Sequence, residues 1–333
     1  MKVSVVVPVY NKAAHVRAAL DSILNGTWRE LELIAVDDHS TDGSLAELRS
    51  INDPRLRIIA LPQNGGPAVA ANAGLDAARG EYVARMDADD ISVPERLALQ
   101  VAYMDAHPGV GASSGHLRLF GDSTGEWRMP LTTEACRAHI LFGPPITQGC
   151  CILRRSVLER HGIRYRPDAP RVGEDWLLWA RLLQVTDFGN VDQVLLHYRR
   201  DEGNISRTSV HAQYLRLLQQ VFASFELPLT ETQADVHAMA MRRWVSPPNA
   251  ARVVEFRRWL DRLLRLNEAK GLFPRAAFAA EVSHVWQRLF HHLPPLGFAP
   301  AWAHLRQGGP GTAAHALYWL KQATNRATGR QRK

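Results

Sequence analysis

Cysteine is scarce, with Cys136, Cys150 and Cys151 the only three in 333 residues. They are too few and too bunched for a disulfide framework, and an adjacent pair rarely bridges itself, so a reducing compartment is expected. Their spacing fits no zinc pattern, and Cys150 and Cys151 read as small buried residues rather than nucleophiles. Long apolar runs are missing too. None approaches the roughly 18 residues that cross a bilayer, and the opening "MKVSVVVPVYNK" ends in Asn-Lys, which reads as a first strand and not a secretory leader. Glycine is absent where nucleotide folds usually need it. The first is Gly26, beyond the first helical pattern, so no G-x-G-x-x-G loop follows the first strand, and no Gly-Lys pair exists to build a P-loop. Any nucleotide must be held by other means.

Hydrophobic residues make up 46% of the chain and charged ones 22%, ordinary for a globular protein, but the net charge of +7 is unevenly placed. Residues 1–208 carry 23 Lys and Arg against 26 Asp and Glu; residues 209–333 carry 17 against 7, a net +10. In the first part, apolar stretches at 3–9, 31–36, 56–61 and 81–86 alternate with helical patterns at 13–25, 43–51, 67–79 and 94–106. This alternation predicts a doubly wound, mainly parallel α/β sheet, Rossmann-like in type, with ligands bound beyond the carboxyl ends of its strands. Further on, strands are expected at 110–121 and 194–200, with helices near 155–161 and 173–184. Beyond about 208 the pattern is helical, broken at Pro and Gly, and "NRATGRQRK" reads as a frayed basic tail.

The polar clusters fall at the strand ends: "YNK", "DDHSTDGS", "PQNGG" and, most charged, "DADD" in "EYVARMDADDISVPERL". Asp87, Asp89 and Asp90 within four positions repel one another and lose solvation unless a cation compensates. A hard divalent ion, Mg²⁺ or Mn²⁺, sharing its oxygens with a phosphate would do so. The plainer alternative is an acidic loop that starts the next helix, with Ser92 as N-cap ahead of Pro94 and Glu95.

The order and spacing of "VSVVVPVYNK", "VDDHSTDGS", "NGGPAVAANAGLDAARGEYVARMDADD", the "HP" at 107 and 108, "CCILRRSVLERHGI" and "GEDWLLWARL" resemble glycosyltransferase family 2 over about residues 1–207. That family comprises inverting nucleotide-sugar enzymes of the GT-A fold. The resemblance implies a catalytic domain over 1–208, with a nucleotide half (1–106) and an acceptor half (107–208), followed by a basic helical extension over 209–333. It implies that Pro8, Val9 and Tyr10 wall the base pocket and that Asp38, with Asp37 as second choice, accepts from a uracil-type base. Asn72, Arg199 and Arg200 would complete the donor site. Asp87 and Asp89 form the DxD pair toward Mn²⁺ or Mg²⁺, with Asp90 the alternative ligand. Asp175 stands as general base, Glu174 as its supporting acid, and Gln148, Gly149 and Trp176 are expected at the acceptor. The implied reaction passes a sugar, from a UDP-linked donor, to a hydroxyl of a saccharide or lipid-linked acceptor in polysaccharide or glycolipid assembly.

Two positions depart from the family pattern. Ala71 stands where a basic residue is usual and Asp201 where histidine is common, with Lys12 or Arg85 as substitutes for the missing cation. These departures motivate an alternative, a non-catalytic nucleotide-sugar-binding or scaffolding protein of the same fold. In the C-terminal part, "RVVEFRRWLDRLLRL" places Val253, Phe256, Leu260, Leu263 and Leu264 on one stripe and arginines on another. The basic charge and five of the nine tryptophans suit an anionic membrane surface, which puts the protein in the cytoplasm, peripheral to the inner face of the cell membrane. Nucleic acid is not an expected partner, because no recognition module accompanies the charge.

Overall fold

The computed structural model describes residues 1–169, 173–201, 210–309, 317, 318 and 321; the basic tail at 325–333 lies outside them. Two compact units are present, one of residues 1–140 and 144–209, the other of 141–143 and the chain from 210 on.

The first unit is built on a nine-stranded sheet in the order β3-β2-β1-β4-β8-β6-β9-β5, with β7 paired to β6. The first four strands are β1 (Val3–Val9), β2 (Leu31–Asp37), β3 (Leu56–Ala60) and β4 (Tyr82–Arg85), and all their mutual pairings are parallel. Both faces are covered. Val3, Val5, Val7 and Val9 face one core, shared with α1 (Val16–Leu24) and α4 (Arg96–Ala106). On the other face α3 (Pro67–Ala77) lies so close to β1 that a Cβ on its Gly74 would stand 2.2 Å from Val6 Cγ1. Helix α2 (Ser44–Arg49) completes this half.

The second half is mixed. β8 (Ile152–Arg154) runs antiparallel to both β4 and β6 (Val110–Gly121), while β9 (Asp187–Arg200) pairs parallel with β6. β7 (Gly125–Trp127) closes a hairpin on β6. Helices α5 (Thr133–His139), α6 (Arg155–Arg160) and α7 (Glu174–Leu182) lie between these strands in sequence.

One reading at the strand end is corrected. Ser92 is not the cap of the following helix; it belongs to β5 (Ile91–Ser92), which pairs with His197 and Leu196 of β9, and α4 begins only at Arg96 after Pro94. Backbone pairing with a strand a hundred residues away overrides the local cap signal. His197 is accordingly a strand residue.

The second unit is helical: α8 (His211–Ala223), α9 (Glu231–His237), α10 (Ala250–Lys270), α11 (Arg275–Leu289) and α12 (Phe298–Arg306). α9 starts with a full capping box between Thr230 and Gln233, and α10 starts with Asn249 accepting from the Arg252 amide. In α10 the apolar stripe is inside, with Val253, Phe256, Leu260 and Leu263 buried, and Arg258, Arg262 and Arg265 face solvent. His237 is buried as the neutral ring: Nε2 donates to the Leu141 carbonyl at 2.7 Å and Nδ1 accepts from Trp259 Nε1 at 3.0 Å. Burial holds its pKa down to about 4, so it is a structural pin and not a titrating group at neutral pH.

Candidate active site

β4 ends at Arg85, and the next five residues carry Asp87, Asp89 and Asp90 out of the sheet. Arg85 is buried, yet it stays charged because anions surround it. Its Nη1 lies 3.3 Å from Asp87 Oδ1, and the Asp87 and Glu174 charges raise its pKa against the cost of burial. Gln148, with its amide oxygen turned to Arg85, accepts from Nη2 at 2.6 Å. The Tyr165 ring lies 5.8 Å from the guanidinium, and its buried hydroxyl finds no hydrogen-bond partner among the described residues.

The strand end is braced from beneath. Arg96, wholly buried, donates from Nη2 to the Arg85 carbonyl at 2.7 Å and from Nε to Gln100 Oε1, while Gln100 Nε2 donates to the Cys150 carbonyl at 2.7 Å. This strut fixes the acidic loop against the turn Gln148–Cys150. Neither residue was singled out from sequence, although "PERLALQ" places Arg96 and Gln100 one helical turn apart among apolar neighbours. From the other side, the Arg199 amide donates to Asp90 Oδ1 at 2.8 Å and its Nε to the Asp89 carbonyl at 2.9 Å, with the guanidinium 4.5 Å from the Phe120 ring centroid. Arg199 thus shapes the loop. Arg200 lies over the Trp127 ring, which packs on Tyr198 with centroids 5.4 Å apart.

The acids divide in two groups. Asp89 Oδ2 is met by Lys12 Nζ at 2.5 Å. Asp87 Oδ2 and Asp90 Oδ2 instead converge on Gly149, where a Cβ would stand 3.0 and 3.1 Å from them. Asp90 Oδ2 is buried without a hydrogen-bond partner among the described residues, and burial together with Asp87 pushes its pKa well up. Burial raises Asp87 also, with Arg85 opposing. An orphaned buried carboxylate oxygen beside a second carboxylate, over a gap that only glycine leaves open, fits a hard cation. Among the described residues no three His, Cys, Asp or Glu side chains could hold a metal ion by themselves. An ion here would need oxygens from a ligand, the arrangement Mg²⁺ and Mn²⁺ adopt with phosphates.

Glu174 and Asp175 open α7. Glu174 is buried and Asp175 partly so, and loss of solvent pushes their carboxyls to about 7 and about 6. Arg85 and, for Asp175, the Trp176 amide at 2.9 Å hold them from rising further. A carboxyl that ionises near neutrality has more affinity for a proton than a free one, as a general base requires.

Other expected positions fall differently. Asp38 is committed to the 64–66 loop: Oδ1 accepts from the Gly65 amide at 2.7 Å, Oδ2 from the Gly66 amide at 2.8 Å and from Asn64 Nδ2. Asp37 Oδ1, the second choice, is buried with no hydrogen-bond partner among the described residues, so it is the unsatisfied carboxylate oxygen at this strand end. Tyr10, which follows Asp37's register partner Val9, is 46% exposed and Pro8 half-buried, but the Val9 side chain lies in the core and cannot wall a pocket. Asn72 does not reach a donor, because both ends of its amide pair with the Tyr165 backbone at 2.9 Å. Trp176 is a core residue whose Nε1 donates to the Ile140 carbonyl at 2.7 Å, which corrects its place at the acceptor. Ala71 is buried in α3, so that helix offers no cation there.

An α/β sheet of this order with its acids at the end of β4 defines the GT-A class of sugar-transfer folds. Among the solved structures similar to it in fold are S. aureus TarS 1-349 in complex with UDP-GlcNAc (TM-score 0.58, 18% identity, covering 100% of this chain and 93% of that one) and the mannosyltransferase PcManGT from Pyrobaculum calidifontis in complex with GDP-Man and Mn²⁺ (TM-score 0.53, 22% identity, 99% and 88%). The family model for Glycosyl transferase family 2 matches residues 4–162. An uncharacterized glycosyltransferase of Haemophilus influenzae is 32% identical over 225 residues, 63% of this chain and 69% of that protein, and the succinoglycan biosynthesis protein ExoO of Rhizobium meliloti is 34% identical over 220 residues, 62% of each. The chain belongs to glycosyltransferase family 2, and is a glycosyltransferase. It spans between a third and two thirds of several curated relatives, and the family match ends before Glu174.

If the gap over Gly149 is a cation's place, Gly149→Ala should fill it with a methyl group while leaving the fold intact. Calorimetric titration with Mn²⁺ in the presence of UDP should then show about tenfold weaker binding; an unchanged affinity would mean that the two carboxylates do not act there.

Proposed function

We propose that the protein transfers a sugar, with inversion, from a nucleoside-diphosphate donor, UDP-linked in the first instance, to a hydroxyl of a saccharide or lipid-linked acceptor in polysaccharide or glycolipid assembly. The observation that carries this reading is the placement of two carboxyl groups of raised pKa, Glu174 and Asp175, around the same buried Arg85 that anchors Asp87. Donor-side acids and a basic carboxylate are thereby held by one cation. A binding-only protein would have no need of the second pair, which favours an enzyme over a scaffold.

Asp37 and Tyr10 would meet the base, and Asp87, Asp89 and Asp90 are the residues that would hold a divalent ion, whose charge offsets the negative charge developing on the leaving diphosphate. The donor complexes of TarS with UDP-GlcNAc and of PcManGT with GDP-Man and Mn²⁺ support the donor class and the ion. Asp175 takes the proton from the acceptor hydroxyl as its oxygen attacks the anomeric carbon. The carbon–diphosphate bond breaks on the opposite side, so configuration inverts. Gln148 holds Arg85 in place, the Trp176 amide holds Asp175, and Gly149 leaves room at the acid cluster. No residue becomes covalently attached.

Asp175 must be ionised to act, so kcat/KM for donor turnover should fall as pH drops through about 6 and level off above it. Asp175→Asn should lower turnover about 10²- to 10⁴-fold with UDP affinity unchanged; retained turnover would remove Asp175 from the reaction.

The same reading includes docking at an anionic membrane. No helix among the described residues is long and apolar enough to cross one. Helix α12 instead presents Phe298, 68% exposed, and Trp302, 44% exposed, stacked with centroids 5.8 Å apart, and Arg306 lies 6.0 Å from the Trp302 ring. Two aromatics beside a cation in a region of net +10 suit the interface of an acidic bilayer. Full-length protein should sediment with phosphatidylglycerol vesicles at low salt but not with phosphatidylcholine ones, and a Phe298→Ser, Trp302→Ser variant should lose most of that binding; equal sedimentation of variant and parent would exclude α12 as the contact.

A further inference from the structure

Lys12 lies in the turn after β1, beyond Tyr10 and Asn11, and its main chain is fixed. The amide donates to Ser44 Oγ at 2.7 Å, and the carbonyl accepts from the His15 and Val16 amides at 2.9 Å, which opens α1. Its side chain crosses to the acid cluster, where Nζ stands 2.5 Å from Asp89 Oδ2. Asp89 has 10% of its side chain exposed and Lys12 27%. A nearly enclosed carboxylate is therefore matched with an ammonium that still meets solvent.

The neighbouring cations are held differently. Arg85 is enclosed by Asp87, Gln148 and the Tyr165 ring; Arg96 spans the Arg85 carbonyl and Gln100; Arg199 is fixed on the Asp89 carbonyl and the Phe120 ring. A planar guanidinium seated among several partners moves only at a cost, whereas an ammonium on a four-carbon stem can swing between anions while its backbone stays in place. Helix α3, with Ala68, Ala70 and Ala71 buried, puts no cation near its start.

We propose that Lys12 is the mobile counter-cation of the donor site. Its ammonium holds Asp89 while no divalent ion is bound, and moves to the donor's diphosphate when an ion takes that carboxylate. The proposal rests on the nucleotide-sugar reading above and adds to it a residue that positions charge without touching the reacting carbon. Two consequences follow from the competition. An ion arriving without nucleotide must displace Lys12 and gains less from Asp89. With a diphosphate present, the displaced ammonium finds a new anion, so ion and nucleotide favour each other's binding by the same factor.

The test compares full-length parent, Lys12→Met and Lys12→Arg, with thermal melts as a check on folding. Mn²⁺ binding without nucleotide is read by electron paramagnetic resonance, and UDP binding in saturating Mn²⁺ by calorimetry. Loss of the ammonium should tighten Mn²⁺ about tenfold and weaken UDP in saturating Mn²⁺ about tenfold, the effect of one charged hydrogen bond. Lys12→Arg should restore UDP binding. Unchanged or weaker Mn²⁺ binding by Lys12→Met, or unchanged UDP binding, would overturn the proposal. A parent that binds no UDP with or without Mn²⁺ would refute the donor reading instead, and the Mn²⁺ arm, which uses no nucleotide, still decides the competition for Asp89.

Discussion

A guanidinium taken out of water costs several kcal/mol unless anions and acceptors replace its solvation, and Arg85 at the end of β4 meets that condition with Asp87, Gln148 and Glu174. The dependence is mutual. Asp87, Asp90, Glu174 and Asp175 crowd into a space where burial drives each carboxyl toward its neutral form, and the Arg85 charge opposes this for Asp87, Glu174 and Asp175. Arg96 and Gln100 fix the backbone on which Arg85 stands, and Arg199 fixes the loop beyond it. The site is a lattice of charges around one buried cation, delivered by the parallel half of the sheet and closed by the mixed half.

Much of this was legible in the chain. The strands and helices of the first hundred residues follow their apolar periodicity, and the crowding of Asp87, Asp89 and Asp90 after β4 marked that strand end as one that needs compensating charge, which Lys12 and Arg85 supply in part. The stripe in α10 was equally plain, since Val253, Phe256, Leu260 and Leu263 recur at helical spacing. Comparison with known proteins agrees with the family that the motifs implied.

What the chain did not reveal depends on partners distant in sequence. Asp38 could not be told from Asp37 until its carboxylate was seen to bind the Gly65 and Gly66 amides, 27 and 28 residues on. Asn72 looks like a donor ligand until its amide is found on the Tyr165 backbone, and Ser92 looks like a helix cap until β9 pairs with it. Val9 and Trp176 were misplaced for a different reason: strand alternation and helix phase decide which way a side chain points, and both point into cores. Arg96 is the instructive omission. A charged residue in a helix's first turn ordinarily faces water, and only its burial under Arg85 reveals a brace.

The central claim is that the acids after β4 form one site with a donor's diphosphate and a divalent ion. Thermal unfolding with UDP alone, Mn²⁺ alone and the two together tests it most directly. A ligand that binds the folded state stabilises it by an amount that grows with the logarithm of its free concentration over its Kd, so the account predicts a rise in Tm with both that clearly exceeds the sum of the separate rises. Additive shifts, or none with UDP under any condition, would contradict it.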